Sequence, residues 1–195
     1  MFNIILATGE TGELGLNNQL PWDFSTDKSF FKKMTTETTI LPGINKESNI
    51  LITGRKTFES LLNTTGCCIY KPLLNRTLFV ITADYEKFNN YYTTDVDKPK
   101  SVYFFPSFLT AYLRACDFKN SDIWVIGGKY IYERALTHWA CNKIYLTKIS
   151  TSFEADTLRP SGEPFFTPYV IVFGLKCVSS SLLCLSLPEY IRSPW

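Results

Sequence analysis

Ile123-Trp124-Val125-Ile126-Gly127-Gly128-Lys129-Tyr130-Ile131-Tyr132-Glu133-Arg134-Ala135-Leu136 is the stretch that decides the fold class. Its first residues are apolar and mostly β-branched, which reads as a short strand buried on both faces. The adjacent glycines end that strand, and Lys129 to Leu136 continues as a helix. Glycines at such a turn let the backbone approach a pyrophosphate or a flat ring, and the helix start offers N–H groups that have no partner within the helix. The spacing is neither the Gly-x-Gly-x-x-Gly fingerprint nor a Walker loop, so a nucleotide held here is held in another way.

Working outward, the same unit recurs. Asn49 to Thr53 reads as a strand and Phe58 to Leu62 as a short helix, with Gly54-Arg55-Lys56-Thr57 between them. A glycine followed by cations at a strand-to-helix turn suits a phosphate, although by itself it is equally the ordinary start of a surface helix. Phe2 to Ala7, Thr77 to Thr82, Val102 to Phe105 and Lys143 to Ile149 are further strands. Thr8 to Asn18 is a loop carrying Gly9, Gly12 and Gly15, and Asp84 to Lys100 is a polar stretch. Ser107 to Cys116 reads as a helix capped by Ser107, with Phe108, Ala111, Tyr112 and Ala115 at helical spacing. Pro42 to Ser48 and Asn63 to Leu74 read as surface loops. Repeated strand, turn and helix units predict a three-layer α/β/α chain: a central, mainly parallel sheet with helices on both faces and ligands beyond the carboxyl ends of the strands.

Leu20-Pro21-Trp22-Asp23-Phe24-Ser25-Thr26-Asp27-Lys28-Ser29-Phe30-Phe31-Lys32 sets an acid inside a pattern that otherwise reads as core. Ser25 is the expected N-cap, which puts Asp27 in the first helical turn, where orphan N–H groups and the helix dipole favour an ionised carboxylate. Phe31 lies one turn further along on the same face. Together with Trp22 and Phe24 they predict a carboxylate on the rim of an aromatic pocket. An acid that merely suits a helix start is the plain alternative, and the local pattern does not separate the two. The helix is expected to stop at Thr35-Thr36-Glu37-Thr38-Thr39, because β-branched threonines are weak helix formers.

At 195 residues, with 45% hydrophobic and 19% charged residues, the chain can bury one sizeable core and is expected to form a single soluble domain over residues 1–195. A formal net charge of +2 without a basic run argues against nucleic acid and an anionic membrane surface as partners. The N-terminus enters at once on Phe2-Asn3-Ile4-Ile5-Leu6-Ala7 with no basic leader, so the expected compartment is the cytoplasm. Six cysteines without a Cys-x-x-Cys pair read as reduced thiols. With His138 as the single histidine there is no spaced ligand set, and no metal is expected; His138 reads as an ordinary residue at a helix end. Any chemistry then falls to a carboxylate and a bound cofactor.

Taken in order, the motifs resemble the dihydrofolate reductase family. The resemblance runs from Phe2 to about Thr157. It rests on Ile5-Leu6-Ala7, Gly15, Leu20-Pro21-Trp22, Asp27 with Phe31, Thr53-Gly54-Arg55-Lys56-Thr57-Phe58-Glu59-Ser60, Pro72-Leu73-Leu74-Asn75-Arg76, Val125-Ile126-Gly127-Gly128 with Tyr132, Ile144-Tyr145-Leu146-Thr147, and Asp156-Thr157. It implies a sheet closed by a C-terminal antiparallel hairpin, and an enzyme that reduces dihydrofolate with NADPH in support of one-carbon metabolism and thymidylate synthesis. By the resemblance, Asp27, Trp22 and Thr147 form the catalytic group, with Asp27 on the pterin amidine and Thr147 behind it. Ile5, Leu6, Leu20, Phe31, Leu61, Leu74 and Ile126 line the folate site, and Arg76 takes the glutamate carboxylate.

For the cofactor, the resemblance implies Ala7, Leu14, Gly15 and Asn18 beside the nicotinamide, and Gly54, Arg55, Lys56, Thr57 and Thr82 around the phosphates and adenosine. Gly127, Gly128, Lys129, Tyr130, Ile131 and Tyr132 run along the pyrophosphate and nicotinamide. Paired cations favour NADPH over NADH, because a 2′-phosphate calls for charge-assisted hydrogen bonds. Hydride reaches C6 of dihydrofolate while N5 gains a proton; Asp27 is the acid suitably placed, and whether it passes the proton itself or steers a water is open. Antifolate inhibitors are expected ligands. The family includes fusions with thymidylate synthase, which the sequence leaves open; otherwise a monomer is expected.

Several positions stand apart from the family pattern. Lys28 follows the acid where an apolar or aromatic residue is common, so it is expected to snorkel to solvent or reach the substrate tail. Arg76, on local sequence alone, reads as an ordinary solvated arginine after a turn. Inserts at Pro42 to Ser48 and Asn63 to Lys71 lengthen surface loops, and residues 158–195 diverge. In that segment Tyr169-Val170-Ile171-Val172-Phe173 is the best strand and Ser179-Ser180-Ser181 the best turn. Three readings follow: a folate reductase using NADPH, which is preferred; a related pyrimidine or pterin reductase of the same fold; and an inactive binding protein with an altered C-terminus.

Overall fold

The computed structural model describes residues 1–37, 47–65, 73–92, 101–160, 169–178, 181–184 and 189–191. In chain order the elements are β1 (Phe2–Thr8), β2 (Glu13–Gly15), α1 (Ser25–Thr36), β3 (Asn49–Gly54), α2 (Arg55–Thr65), β4 (Arg76–Ile81), α3 (Tyr85–Tyr92) and β5 (Val102–Phe105). They continue as α4 (Phe108–Ala115), β6 (Ile123–Gly127), α5 (Lys129–Leu136), β7 (Cys141–Ile149), β8 (Thr157–Leu158), β9 (Tyr169–Val178), β10 (Ser181–Cys184) and β11 (Glu189–Ile191).

Consecutive burial in β3 explains the layers. Ile50, Leu51 and Ile52 are all inaccessible, and successive side chains of a strand point to opposite faces, so both faces must be covered. Ile50 and Ile52 pack with Phe79, Phe108, Tyr112 and Ile131, beneath α4 and α5. Leu51 packs with Phe58, Leu78, Val80 and Trp124 on the other face, where Phe31, Leu61, Tyr85 and Phe88 arrive from α1, α2 and α3. Each such buried side chain contributes about 1.5–3 kcal/mol of apolar transfer energy. The sheet order is β10-β9-β7-β1-β6-β3-β4-β5, and every pairing from β7 to β5 is parallel. This is the predicted three-layer α/β/α architecture.

The structure revises several boundaries. Ser25 lies inside α1; the cap position is Phe24, in an extended conformation and without a side-chain cap, so the rigid entry through Pro21 and Trp22 starts the helix rather than a serine hydroxyl. The helix ends at Thr36, as the threonine run predicts. α2 begins at Arg55 rather than Phe58 and continues to Thr65, into the stretch read as loop. α3 lies within the stretch read only as polar; among the described side chains Tyr85 and Phe88, one turn apart, pack against the core. β2 interrupts the loop after β1 and pairs antiparallel with β8. Ser107 caps α4 as expected, in a reciprocal pair with Thr110.

Beyond β8 the expected strand at Tyr169 to Phe173 is present and longer. β10 and β11 run antiparallel along β9, at Leu175–Val178 and Val170–Val172 respectively, so the terminal hairpin is there. Its first strand extends the parallel part of the sheet: β9 lies parallel to β7, from Lys143↔Tyr169 to Ile149↔Leu175. The Ser179–Ser180 part of the expected turn, residues 42–46 of the first expected insert, and 66–71 of the second lie outside the described residues, as does Pro72.

Candidate functional site

Asp27 sits in the first turn of α1 and is 7% exposed. Trp22, immediately before the helix, donates its indole N–H to Asp27 Oδ2 at 3.1 Å. Burial raises the Asp27 pKa, while the Trp22 hydrogen bond and the Lys28 charge work against that rise. Lys28 itself pairs with Asp23 at 2.6 Å on the surface, which answers where it points. Burial, with the Asp27 charge added, raises the Tyr132 pKa, so helix α5 brings a buried phenol within electrostatic range of the acid. Thr147 is buried on β7 opposite Ala7 of β1. Among the described residues no hydrogen bond joins it to Asp27.

Residues predicted to line a folate pocket divide into three groups. Ile5, Ile126, Phe31 and Leu61 belong to one apolar cluster on the α1 side of the sheet. Leu6 does not: its side chain packs on the opposite face with Ile4, Phe2 and Tyr132, because neighbouring strand residues alternate. Its side chain thus lies apart from those of the other expected pocket walls in the α1-side cluster. Leu20 and Leu74 are 52% and 67% exposed, large apolar side chains left facing solvent on the approaches to α1 and β4.

Arg76 is buried rather than solvated. Its Nε donates to Leu74 O at 3.2 Å, Nη1 donates to Thr35 Oγ1 at 2.9 Å, and the guanidinium lies 5.9 Å from the Phe31 ring centroid. These contacts fix the plane of the fork, and burial lowers its pKa from a value far above neutrality.

Both glycine turns meet at the carboxyl ends of neighbouring strands. Thr53 pairs with Gly127, and Thr53 Oγ1 donates to Gly127 O at 2.9 Å. Gly127 adopts φ +98°, which favours glycine, and a Cβ there would meet the Tyr132 ring at 2.7 Å. A Cβ on Gly128 would lie 3.1 Å from Thr57 Oγ1, so backbone of one turn faces the side chain of the other. The peptide between Gly127 and Gly128 is cis. α2 and α5 therefore begin side by side; the N-cap of α5 is Gly128 and carries no side-chain cap. Arg55 and Lys56 are exposed at the start of α2, and Arg55 pairs with Glu59 at 3.1 Å. Orphan N–H groups, two cations and a cradle too tight for Cβ atoms fit a phosphate-bearing cofactor.

The remaining predicted cofactor residues are more scattered. Ala7 ends up half-buried near the close of β1, and Leu14 is partly buried against the α5-side core. Gly15 pairs with Thr157 of β8, while Asn17 and Asn18 take positive φ in the turn from Leu16 to Gln19. Thr82 is buried after β4, its hydroxyl accepting from the Asp84 N–H at 3.3 Å. Lys129 and Tyr130 are exposed, with Arg134 over the Tyr130 ring. Ile131 and Tyr132 are core residues, and the Tyr132 hydroxyl donates to Ile5 O at 2.9 Å, stapling α5 to β1.

Two residues with no signal in the sequence reading are linked to Trp22, one directly and one through the other. Phe153 packs its ring on Trp22 at 5.2 Å, and Glu13 accepts from the Phe153 N–H at 3.2 Å. Asp156, present in a quoted motif but assigned no role, accepts from the Asn17 N–H at 2.7 Å and is held below the usual carboxylate range by that bond.

Comparison with known proteins covers the same residues. The family profile described as Dihydrofolate reductase matches residues 1–166. The dihydrofolate reductase of Heliothis virescens is 32% identical over 161 residues, 82% of this chain and 78% of that protein. That of Drosophila melanogaster is 29% identical over 162 residues, 82% of this chain and 79% of that protein. The bifunctional dihydrofolate reductase-thymidylate synthase of Paramecium tetraurelia is 32% identical over 155 residues, which span 80% of this chain but 27% of that protein.

Proposed function

The chain belongs to the dihydrofolate reductase family, and on that premise we propose that it reduces 7,8-dihydrofolate to 5,6,7,8-tetrahydrofolate with NADPH as the reductant. The single observation that carries the reading is Asp27: a buried acid in the first turn of α1, held by one indole N–H, beside an apolar cluster of Ile5, Phe31, Leu61 and Ile126.

In this reading Asp27 faces the pterin and favours its protonated form through charge-assisted hydrogen bonds. Burial makes its carboxylate readier to take a proton than an exposed aspartate, which suits a group that must support protonation of N5. Trp22 keeps one carboxylate oxygen occupied and so orients the other. Phe31 and Ile5 exclude water from one wall, and Arg76, its plane set by Thr35 and Leu74, presents a fork suited to a substrate carboxylate. Arg55, Lys56, Thr57 and the turns at Gly54 and Gly127-Gly128 would hold the cofactor phosphates. NADPH, when bound, supplies the hydride that C6 receives. We assign this activity to the cytoplasm, a compartment in which thiols such as those of Cys116 and Cys141 stay free.

The test is the loss of nicotinamide absorbance on adding dihydrofolate, repeated with NADH and with a pterin lacking the p-aminobenzoyl-glutamate tail. Turnover is expected to be fastest with NADPH and the complete substrate. Equal turnover of the tail-less pterin would reassign the chain to another pterin reductase, and no turnover with any pair would leave a binding protein.

A further inference from the structure

The loops that flank Trp22 converge on a second buried acid. Glu13, on β2, is 3% exposed. Its carboxylate accepts from Thr11 N–H at 3.0 Å, Thr11 Oγ1 at 2.6 Å and Phe153 N–H at 3.2 Å. Space for it exists because residue 9 is glycine: a Cβ there would collide with Glu13 Oε2. The Phe153 ring packs on Trp22 at 5.2 Å and on Phe24 at 6.4 Å, and Trp22 donates to Asp27. Contacts therefore run without a break from β2, through the segment before β8, to the first turn of α1.

We propose that Glu13 is a positioning residue: by tying the loop after β1 to the Phe153 backbone it holds the Phe153 ring against Trp22, and so keeps the Trp22 indole N–H on Asp27. The groups that meet the Glu13 carboxylate are all donors. An ionised carboxylate is acceptor-only and satisfies them, whereas an amide must turn its own NH₂ toward one of them. Those hydrogen bonds, the Thr11 hydroxyl first among them, hold the Glu13 pKa below its ordinary value against the effect of burial. At the far end, the groups that act on Asp27 are Trp22 and Lys28, with Tyr132 on the α5 side. Displacing the indole removes the hydrogen bond that opposes burial, so Asp27 takes up its proton at higher pH.

The consequence for turnover rests on the reading of Asp27 given above; the position of the indole does not, so the two are measured separately. In the ligand-free protein the Trp22 indole N–H resonance is identified by its loss in Trp22→Phe. Its hydrogen exchange is then followed in Glu13→Gln, Phe153→Leu, the double variant, and Glu10→Gln as an exposed control on the same loop. Exchange is expected to rise about tenfold in each single variant, with little more in the double, and to stay unchanged in Glu10→Gln. The pH profile of dihydrofolate-dependent NADPH oxidation moves to higher pH in the same two variants. Gly9→Ala displaces the carboxylate without removing it and replaces Glu13→Gln if that variant does not fold. An indole that exchanges as in the unaltered protein, whatever the activity or melting temperature, overturns the proposal. Faster indole exchange with no turnover in any form, the unaltered protein included, overturns the Asp27 reading and upholds the role of Glu13.

Discussion

Asp27, in the first turn of α1, and Glu13, at the start of β2, are both carboxylates with little exposure, and the protein treats them in opposite ways. Asp27 has one side-chain donor, Trp22, and burial wins: its pKa rises. Glu13 has three donors, and the hydrogen bonds win: its pKa falls. Asp27 lies deep with one donor and Glu13 lies shallow with three, so the depth of burial and the number of donors supplied to the charged form together decide the sign. An acid left short of donors is poised to bind something that supplies them, and an acid already saturated serves structure.

The sharpest way to break this contrast is Asp27→Asn. The amide keeps the shape and loses the anion, so hydride transfer at neutral pH is expected to fall by roughly 10²-fold or more, with part of the loss recovered at low pH, while NADPH binding changes little. Single-turnover rates against pH check this, and a retained rate at pH 7 sinks the role of the acid. Next come Arg55→Ala and Lys56→Ala, which touch neither carboxylate. Each should reduce the preference for NADPH over NADH about tenfold, through the loss of a charge-assisted hydrogen bond of about 1.5–3 kcal/mol. Arg55 is already paired with Glu59 and should show the smaller loss. Equal weakening of NADH would mean that both cations only support the turn.

Arg76→Lys tests the substrate end of the same pocket. It should raise the Michaelis constant for dihydrofolate by several-fold to about tenfold, and leave a diaminopyrimidine inhibitor without a glutamate group nearly unaffected. If both ligands weaken alike, the loss of the contacts to Thr35 and Leu74 has disturbed the pocket as a whole.

The smallest effects carry the sign of the comparison itself. Asp27 has a raised folded pKa, so its charge is a penalty that grows as pH climbs above the ordinary value of 3.8; Asp27→Asn should gain thermal stability over the unaltered protein as pH rises from about 3.5 to 7. Glu13 has a lowered folded pKa, so its contribution is present above the ordinary value of 4.5 and is lost as pH falls; Glu13→Gln should lose stability at pH 7 and converge on the unaltered protein in acid. Melting curves across that range decide it, and parallel behaviour of the two variants would erase the contrast.

Much of this arrangement is legible in the sequence, and the remainder is hidden for physical reasons. Strands β1, β3, β4 and β6 show as apolar runs, and the turns at Gly54 and Gly127-Gly128 show as glycines after such runs, because a strand buried on both faces admits almost nothing else, while β5 and β7, buried less evenly, show through their β-branched and aromatic residues. Asp27 shows as a charge inside an aromatic pattern. Glu13 does not show, since its partner at Phe153 is 140 positions away and no local periodicity records that contact. Arg76 reads as solvated for a similar reason: Thr35, which buries its donor, lies 41 positions earlier. The direction of β9 is hidden in another way, because the alternation of a strand is the same read forward or backward.

The parallel seating of β9 on β7 sets where the sheet's edge lies. Along Lys143 to Ile149 the backbone N–H and C=O groups on one side of β7 are satisfied by β9. A chain cut after residue 160 would keep the turns, the acids and the helices described above, but would expose that row of groups as a bare sheet edge, ready to pair with another copy. Residues 169–178, which cover the edge, lie beyond the 1–166 span of the family match. The segment beyond the family match thus moves the sheet's edge away from β7 and out to the short strands β10 and β11.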